Sequence, residues 1–195
     1  MKIKLTEYSI AGGCGCKVPN NLLSEIIKDI KLSTDRNILS DFRHNEDAAI
    51  IKVSDTHCLV YSVDFFTPIV DDPEQFGRIA AANAISDIYA KGAKPTAALS
   101  ILGYPKELDH SGIPNRIING AGQLCEELNI SILGGHTIYN SQIFYGLSVI
   151  GIAEISNLKL NSAAKPGDLI YMTKPIGSGI MSTALKKSSL DPDDE

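Results

Sequence analysis

Two spacings of hydrophobic residues alternate along the chain and predict strands interleaved with helices. Apolar residues at helical spacing predict helices over residues 20–30, 75–90 and 112–128, the first capped by Asn20 or Asn21. Shorter apolar runs predict strands, of which the first two form a hairpin-like pair. These strands cover residues 48–53, 58–63, 96–103, 130–133 and 143–153. The alternation indicates an α+β or mixed α/β fold.

The predicted helix over residues 75–90 is apolar almost all round, which is typical of a buried helix. Asn83 and Asp87 interrupt its apolar pattern and, being four residues apart, share one face. A buried carboxylate is costly unless a cation or hydrogen bonds compensate for its charge. We therefore expect Asp87 to face a partner.

The chain divides into three predicted parts. Residues 1–18 are expected to be a mobile arm rich in glycine and cysteine, and residues 19–162 a domain. A boundary is predicted at the Ala-Ala-Lys-Pro-Gly sequence of residues 163–167. Beyond it, residues 168–173 are predicted to form a strand that leads into a short helix. Because one strand and one helix cannot close a core, residues 163–195 are interpreted as a linker and the start of a truncated second domain.

Composition and charge argue against several classes of protein. The chain has 44% hydrophobic and 21% charged residues, and its net charge of −5 without a basic cluster argues against nucleic-acid binding. The N-terminal sequence lacks the apolar core of a signal peptide, and no apolar run reaches the length of a membrane span. Four cysteines in a chain without an export signal favour reduced thiols. A soluble cytoplasmic protein is therefore predicted.

The sequence Gly-Gly-Cys-Gly-Cys-Lys near the N-terminus is typical of a mobile reactive loop. Glycines allow the backbone to approach a ligand closely, and the charge of Lys17 favours the thiolate forms of Cys14 and Cys16. A zinc pair, a redox pair and a nucleophile all remain open interpretations. Structural zinc needs four ligands, whereas Cys58 and Cys125 stand alone in apolar runs and are predicted to be small core residues.

Three carboxylates are candidates for a metal site. Asp47 ends a polar loop, Asp64 is predicted to lie at the end of a strand, and Asp87 lies on the apolar helix. Mg²⁺ prefers oxygen ligands and usually combines one or two carboxylates with substrate phosphates. The three residues together are consistent with such a site.

Gly134, Gly135 and His136 follow a predicted strand. Their backbone N–H groups could hold a phosphate, and the alternative is a tight turn with a surface histidine. The chain has neither the glycine and lysine spacing of a P-loop nor a dinucleotide-binding fingerprint after a strand. ATP would therefore bind by another scheme.

These motifs together resemble those of the selenophosphate synthetases (selenide, water dikinases), in the superfamily of aminoimidazole ribonucleotide synthetase. The resemblance is colinear over nearly the whole chain. It rests on Gly13-Cys14-Gly15-Cys16-Lys17, Glu46-Asp47-Ala48-Ala49, Asp64-Phe65-Phe66-Thr67-Pro68-Ile69-Val70-Asp71, Phe76-Gly77-Arg78-Ile79-Ala80-Ala81, Asn83-Ala84-Ile85-Ser86-Asp87-Ile88-Tyr89-Ala90 and Gly134-Gly135-His136. It implies an aminoimidazole ribonucleotide synthetase-like domain, a sheet flanked by helices, whose sheets pair into a barrel across a homodimer.

The resemblance also implies an activity: synthesis of selenophosphate from selenide and ATP, with release of AMP and phosphate and with Mg²⁺ as cofactor. It implies catalytic roles for Cys14 and Lys17, an auxiliary role for Cys16, and Mg²⁺ binding by Asp47 and Asp87. The implied nucleotide-binding set comprises Lys17, His44, Asn45, Glu46, Asp64, Asp87, Gly134, Gly135 and His136.

The sequence departs from the family pattern at Glu46, which replaces the usual first acid, and at Ile10-Ala11, which replaces His-Gly. Two alternatives are another superfamily member, such as a thiamine-monophosphate kinase or a hydrogenase-maturation protein, and a catalytically silent dimerisation or nucleotide-binding module. The Gly-Cys-Gly-Cys-Lys arm argues against the first, while the expected truncation makes the second plausible.

Overall fold

The computed structural model describes residues 3–8, 17–31, 34–40, 45–177, 179–181 and 184. Its α-helices are α1 (Asn20–Ile27), α2 (Pro73–Ala90) and α3 (Ile113–Glu127). Its strands are β1 (Ile38–Ser40), β2 (Ala49–Lys52), β3 (His57–Phe66), β4 (Lys94–Tyr104), β5 (Ser131–Tyr139) and β6 (Phe144–Glu154). Among these residues no helix is long and apolar enough to cross a membrane.

The strands form one mixed sheet in the order β1-β2-β3-β6-β4-β5. Neighbouring strands are antiparallel except for β4 and β5, which are parallel and are joined by the crossover helix α3. One row of paired residues crosses four strands. It comprises Asp64, Leu147, Ser100 and Gly135.

The core lies between the sheet and the two longer helices, α2 and α3. Side chains of a strand alternate between the two faces of a sheet, and in β3 Val60 and Ser62 are buried whereas Tyr61 and Val63 are exposed. The buried side faces α2, whose apolar residues include the fully buried Phe76. The helices therefore cover one face of the sheet.

The two helices pack backbone to backbone. A Cβ atom at Gly77 of α2 would lie 1.8 Å from the carbonyl oxygen of Ile117 in α3. A Cβ at Gly120 of α3 would lie 1.9 Å from the carbonyl oxygen of Glu74 in α2. Glycine is thus required at both positions, and this contact fixes α2 over β3 and β6.

The opposite face of the sheet carries apolar side chains that are about half exposed. These are Tyr61, Val63, Phe65, Leu99, Ile138 and Ile152. The register confirms that they share this face, because Val63 and Leu99 both pair with Ser148. We call these six residues the open face.

The start of the chain is anchored to the domain. Leu5, in a 3₁₀ turn at Leu5–Tyr8, is fully buried in the core. The backbone N–H and the hydroxyl of Thr6 donate to Asp71 Oδ1 at 3.0 and 2.7 Å. An arm that moved as a whole from residue 1 would have to release these contacts, and mobility of residues 1–18 stays a prediction.

Most of the predicted helices and strands are confirmed, with shifted ends. β3 continues to Phe66 because its pairing with β6 does, so the prediction that Asp64 ends the strand is wrong. The predicted cap of α1 is also wrong, because Pro19 occupies the capping position without a side-chain hydrogen bond. The strand predicted over 168–173 is not formed, since these residues are exposed and pair with no strand among the described residues.

Candidate functional site

Strand β3 directs Ser62 and Asp64 to the face that α2 covers. Helix α2 is placed there by its ends: Asp72 caps it by accepting from the N–H groups of Glu74 and Gln75, with Pro73 in the first turn. The helix stops before Gly92, which has a φ of 74°.

Asn83 and Asp87 both face β3, as the helical spacing predicted. The Asn83 amide donates to Asp64 Oδ2 at 2.5 Å, and the Ser62 hydroxyl donates to Asp87 Oδ2 at 2.7 Å. The same hydroxyl lies 3.3 Å from the backbone carbonyl oxygen of Asp47. Ser62 therefore stands between Asp47 and Asp87, and the three predicted carboxylates meet at one place in the fold.

The loop before β2 is fastened to the end of α2 by a buried ion pair. Lys91 Nζ lies 2.5 Å from Glu46 Oε2 and 2.9 Å from Asp47 Oδ2. The side chain of Lys91 is 0% exposed and that of Glu46 3%, whereas that of Asp47 is 43% exposed. Glu46 is thus turned inward to Lys91, while Asp47 borders both Lys91 and solvent.

The electrostatics of Asp87 and Asp47 differ. Burial raises the pKa of Asp87, and the charges of Asp64 and Asp47 raise it further, against the lowering effects of the Ser62 hydrogen bond and the Lys17 charge. The hydrogen bond from Lys91 lowers the pKa of Asp47. Asp87 is therefore a carboxylate that a nearby cation would stabilise, whereas Asp47 already has one.

Burial by itself would lower the pKa of Lys91, but its hydrogen bonds with Glu46 and Asp47 outweigh burial and raise it. The ammonium group is therefore held in its charged form. Lys91 is not among the predicted site residues, because a lysine at the end of a helix is ordinarily a solvated residue that complements the helix dipole.

Lys17 lies at the outer side of this cluster. Its Nζ is 3.8 Å from Asp64 Oδ2, and its side chain is 67% exposed. The structure thus brings Lys17, the last residue of the predicted reactive loop, to the carboxylates. Cys14, Cys16 and His44 lie outside the described residues.

The prediction that Gly134, Gly135 and His136 follow a strand is wrong, and so is the alternative of a tight turn, because all three lie within β5, the edge strand of the sheet. The strand continues because β4 offers pairing partners as far as Tyr139. A Cβ at Gly135 would lie 2.0 Å from the carbonyl oxygen of Ser100, so close strand pairing requires glycine there. Asp64 and Gly135 are the two ends of the row of paired residues that crosses β3, β6, β4 and β5. They are therefore separated by three strand spacings, about 14 Å.

The residues present fit a magnesium ion that also binds phosphate. Within the described ranges no group of three His, Cys, Asp or Glu side chains could hold a metal by itself. Mg²⁺ needs only one or two carboxylates when substrate phosphates and water complete its octahedron. Asp47 and Asp87 offer such a pair, because Ser62 contacts the Asp47 backbone and the Asp87 carboxylate and the charge of Asp47 acts on Asp87.

Known proteins with similar sequences bear out the predicted resemblance. The chain is 46% identical over 193 residues to a selenide, water dikinase of Shewanella sp. (strain W3-18-1), covering 98% of this chain and 55% of that protein. It is 44% identical over 194 residues to the selenide, water dikinase of Aeromonas salmonicida (strain A449), covering 99% of this chain and 56% of that protein. The chain thus spans about half the length of these curated relatives.

Solved structures share the fold at low sequence identity. The HypE–HypF complex superposes with a TM-score of 0.59 at 19% identity, over 76% of this chain and 47% of that chain. AaThiL complexed with AMPPCP and TMP superposes with a TM-score of 0.54 at 22% identity, over 69% of this chain and 40% of that chain. Together with the family match described next, these superpositions confirm the predicted aminoimidazole ribonucleotide synthetase-like fold.

A family model agrees with both comparisons. The model described as "AIR synthase related protein, N-terminal domain" matches residues 45–153, which hold β2 to β5, all but the last residue of β6, helices α2 and α3, and all three carboxylates. Because this match covers more than half of the chain, the chain belongs to the family of AIR synthase related proteins, of which it contains the N-terminal domain.

Proposed function

We propose that the chain is the N-terminal, ATP- and Mg²⁺-binding part of a selenophosphate synthetase. The overall reaction converts selenide, ATP and water to selenophosphate, AMP and phosphate. The selenide, water dikinases that match almost the whole chain support this assignment. Because the chain spans about half their length, we assign to it the binding steps and the reactive arm.

One observation carries the proposal: Lys17 reaches the carboxylate cluster through its contact with Asp64. Cys14 lies three residues before Lys17, so their Cα atoms are at most about 11 Å apart in an extended chain. A thiol of the arm can therefore act on a molecule held at the carboxylates.

Asp47 and Asp87 would hold Mg²⁺. When bound, the ion would neutralise the charge of the ATP phosphates. The negative charges of Asp64 and Asp47 repel the Asp87 carboxylate, and a cation bound among the three carboxylates would offset this repulsion. The repulsion therefore supports a cation-binding role. Asp64, held by Asn83, would orient the nucleotide.

The remaining roles follow the family resemblance. Lys17 would steady the transferred phosphoryl group, and the Cys14 thiolate would present selenide, with Cys16 as an auxiliary. The backbone of residues 134–136, in the edge strand of the sheet that the structure describes, would contact phosphate, and His44 and Asn45 would contact the nucleotide. Glu46 is assigned a supporting role, because its carboxylate is engaged by Lys91.

Phosphorus NMR tests this proposal by following ATP, AMP and selenophosphate in the presence of Mg²⁺ and selenide. AMP formed only with selenide, and abolished in Cys14→Ser and Asp87→Ala, is expected of a protein that contains this chain. The controls are Cys125→Ser and Asp55→Asn, which change the same residue types away from the cluster. ATP consumption stimulated by thiamine monophosphate instead would favour the alternative superfamily member.

The silent-module alternative predicts a different combination of results. Calorimetry would then detect Mg-ATP binding to the chain, while no AMP appears for the chain or for a longer protein that includes it. AMP from the longer protein alone would keep the proposed function and assign the missing steps to residues beyond this chain.

We also propose that the chain forms a homodimer through the open face, its two sheets making a barrel. The six apolar residues of this face are about half exposed in the single chain, which is unusual for a surface that meets only water.

Sedimentation velocity tests the dimer. Leu99→Lys, in the middle of the open face, is expected to yield monomer, whereas Val53→Lys, an exposed apolar position outside it, should leave the dimer intact. Monomer alone for the unchanged chain at micromolar concentration would refute this part of the proposal.

We place the protein in the cytoplasm. The described cysteines, Cys58 and Cys125, are buried free thiols, as predicted for core residues in a reducing compartment. Lysing the cells directly into denaturant that contains a thiol-alkylating reagent would check this, because both thiols should then be alkylated. A disulfide at either cysteine would contradict it.

A further inference from the structure

We infer that Lys91 is the positioning residue of the proposed cation site, and that Asn161 completes its hold on the loop that carries Asp47. The inference rests on the proposed function only in that Asp47 is taken as a cation ligand. It concerns two residues that the sequence motifs do not include, one at the end of α2 and one beyond β6.

Lys91 is placed where it cannot serve as an ordinary surface lysine. Its side chain is fully buried, and its Nζ contacts three oxygens from two separate parts of the chain. These are Glu46 Oε2 at 2.5 Å, Asp47 Oδ2 at 2.9 Å and Asn161 Oδ1 at 2.6 Å. An ammonium group has three hydrogens, so these contacts use its donor capacity in full.

Asn161 also forms hydrogen bonds directly with the loop that carries Asp47. Its backbone N–H lies 3.1 Å from both carboxylate oxygens of Glu46, and its side-chain amide donates to the carbonyl oxygen of Asn45 at 2.8 Å. Asn161 belongs to a short 3₁₀ turn, Asn161–Ala163, that follows β6. The end of α2, through Lys91, and the turn after β6, through Asn161, therefore together bind residues 45–47.

These contacts matter most for the side chain of Asp47. The backbone turn at Asn45, with a φ of 49°, is one that asparagine adopts more readily than most residues. Asp47 is partly exposed, so its carboxylate would be free to turn toward solvent without a fixed partner. Lys91 holds Asp47 Oδ2, while the Ser62 hydroxyl contacts the backbone carbonyl of the same residue and the carboxylate of Asp87. Both the side chain and the backbone of Asp47 therefore have a fixed partner.

The role assigned to Lys91 is orientation, not catalysis. Glu46 anchors the ammonium independently of Asp47, so Asp47 can turn one oxygen to an incoming cation without leaving Lys91 unpaired. Residues that orient metal ligands in this way typically change metal affinity about 10- to 100-fold when they are removed.

Mn²⁺ binding, followed by the electron paramagnetic resonance of the free and bound ion, tests the inference on the whole chain. Asn161→Ala removes the side-chain contacts without changing any charge, and we expect it to weaken Mn²⁺ binding about tenfold. Its matched control is Asn157→Ala, an exposed asparagine on the same connection that bonds only weakly to Glu154, at 3.3 Å. Asn157→Ala should bind Mn²⁺ like the unchanged chain.

Lys91→Met is the second variant, measured where thermal unfolding shows that it is folded. Weaker Mn²⁺ binding is expected, with a changed spectrum of the bound ion because Asp47 is no longer oriented. Each variant is compared as folded protein. A loss of stability alone would therefore change neither the Mn²⁺ affinity nor the spectrum of the bound ion.

The outcomes separate the inference from the proposed site. Absence of Mn²⁺ binding by the unchanged chain, or unaltered binding by Asp47→Asn, would overturn the proposed site and this inference with it. Binding that depends on Asp47 but is unaffected by Asn161→Ala would overturn the inference alone. Tighter binding by Lys91→Met would also overturn it, by making Lys91 a competitor of the cation.

Discussion

The buried pair of Lys91 and Glu46 gives a sharp prediction about stability. Lys91→Met preserves the length and volume of the side chain but removes the ammonium group. Glu46, with a side chain only 3% exposed, then keeps a charge that water cannot reach, whereas the more exposed Asp47 can turn to solvent. Removing one partner of a buried pair costs about 3–5 kcal/mol, because the other charge is left uncompensated.

That cost is large relative to the free energy of unfolding of the whole domain. A native domain is stable by only about 5–15 kcal/mol, so Lys91→Met should remove a large fraction of this stability. At about 2–4 °C per kcal/mol for a chain of this length, the melting temperature should fall by roughly 6–20 °C. Neutralising the partner in the same background, as Lys91→Met with Glu46→Gln, should restore part of the loss, since glutamine can still accept from Asn161.

Denaturant unfolding at neutral pH, followed by circular dichroism, measures these free energies. The matched control is Lys52→Met, which breaks an ion pair with Asp55, a side chain that is 97% exposed, and should leave the free energy of unfolding nearly unchanged. A loss below about 1 kcal/mol for Lys91→Met would refute the reasoning, because that is the range of solvent-screened pairs. So would a double variant less stable than Lys91→Met alone.

Three further predictions follow from the helices and the buried titratable groups. Gly120→Ala should destabilise the protein by about 1–3 kcal/mol in denaturant unfolding, because its Cβ would meet the carbonyl of Glu74, whereas Gly122→Ala, in open space on the same helix, should be neutral or stabilising. Burial raises the pKa of the Cys125 thiol, so mass spectrometry should find it unmodified by iodoacetamide in the native protein and alkylated in urea. Asp87 has a folded pKa raised by burial above its ordinary 3.8, so its protonated form contributes stability that is present below that value and lost as pH rises through the folded pKa. The melting temperature of Asp87→Asn relative to that of the unchanged chain should therefore be higher at neutral than at acid pH, and Mg²⁺ should raise the melting temperature of the unchanged chain but not of this variant.

The fold could be predicted largely because its elements are long and strongly patterned. α2 was identified by its continuous apolar run and β6 by its length, and both are confirmed. The isolated segment 168–173 has the same apolar character, yet it forms no strand, because a strand also needs a neighbour to pair with its backbone. Gly134–His136 was misplaced for the opposite reason, since pairing with β4 outweighs the turn preference of two glycines.

The site was predictable where function depends on residue type and less so where it depends on packing. Asn83 and Asp87 were found by their polarity on an apolar helix, and the structure supplies their partners, Asp64 and Ser62. Lys91 and Asn161 could not be found, because a lysine after a helix and an asparagine in a loop are common surface residues. Only their long-range contacts with Glu46 distinguish them.

The hydrogen bonds of Asn161 to the loop have a consequence for the segment that follows it in the chain. Asn161 lies just before the predicted boundary at residues 163–167, so a displacement of the chain beyond it is transmitted to the loop by the bonds to Asn45 and Glu46. Thermodynamic linkage then requires the converse: if such a displacement changes the affinity of the loop for a cation, cation binding must bias the displacement by the same free energy. The connection after β6 would thus couple cation binding at the loop to the position of the segment after Asn161. A change in the protease sensitivity of residues 163–167 when a cation is added would reveal this coupling.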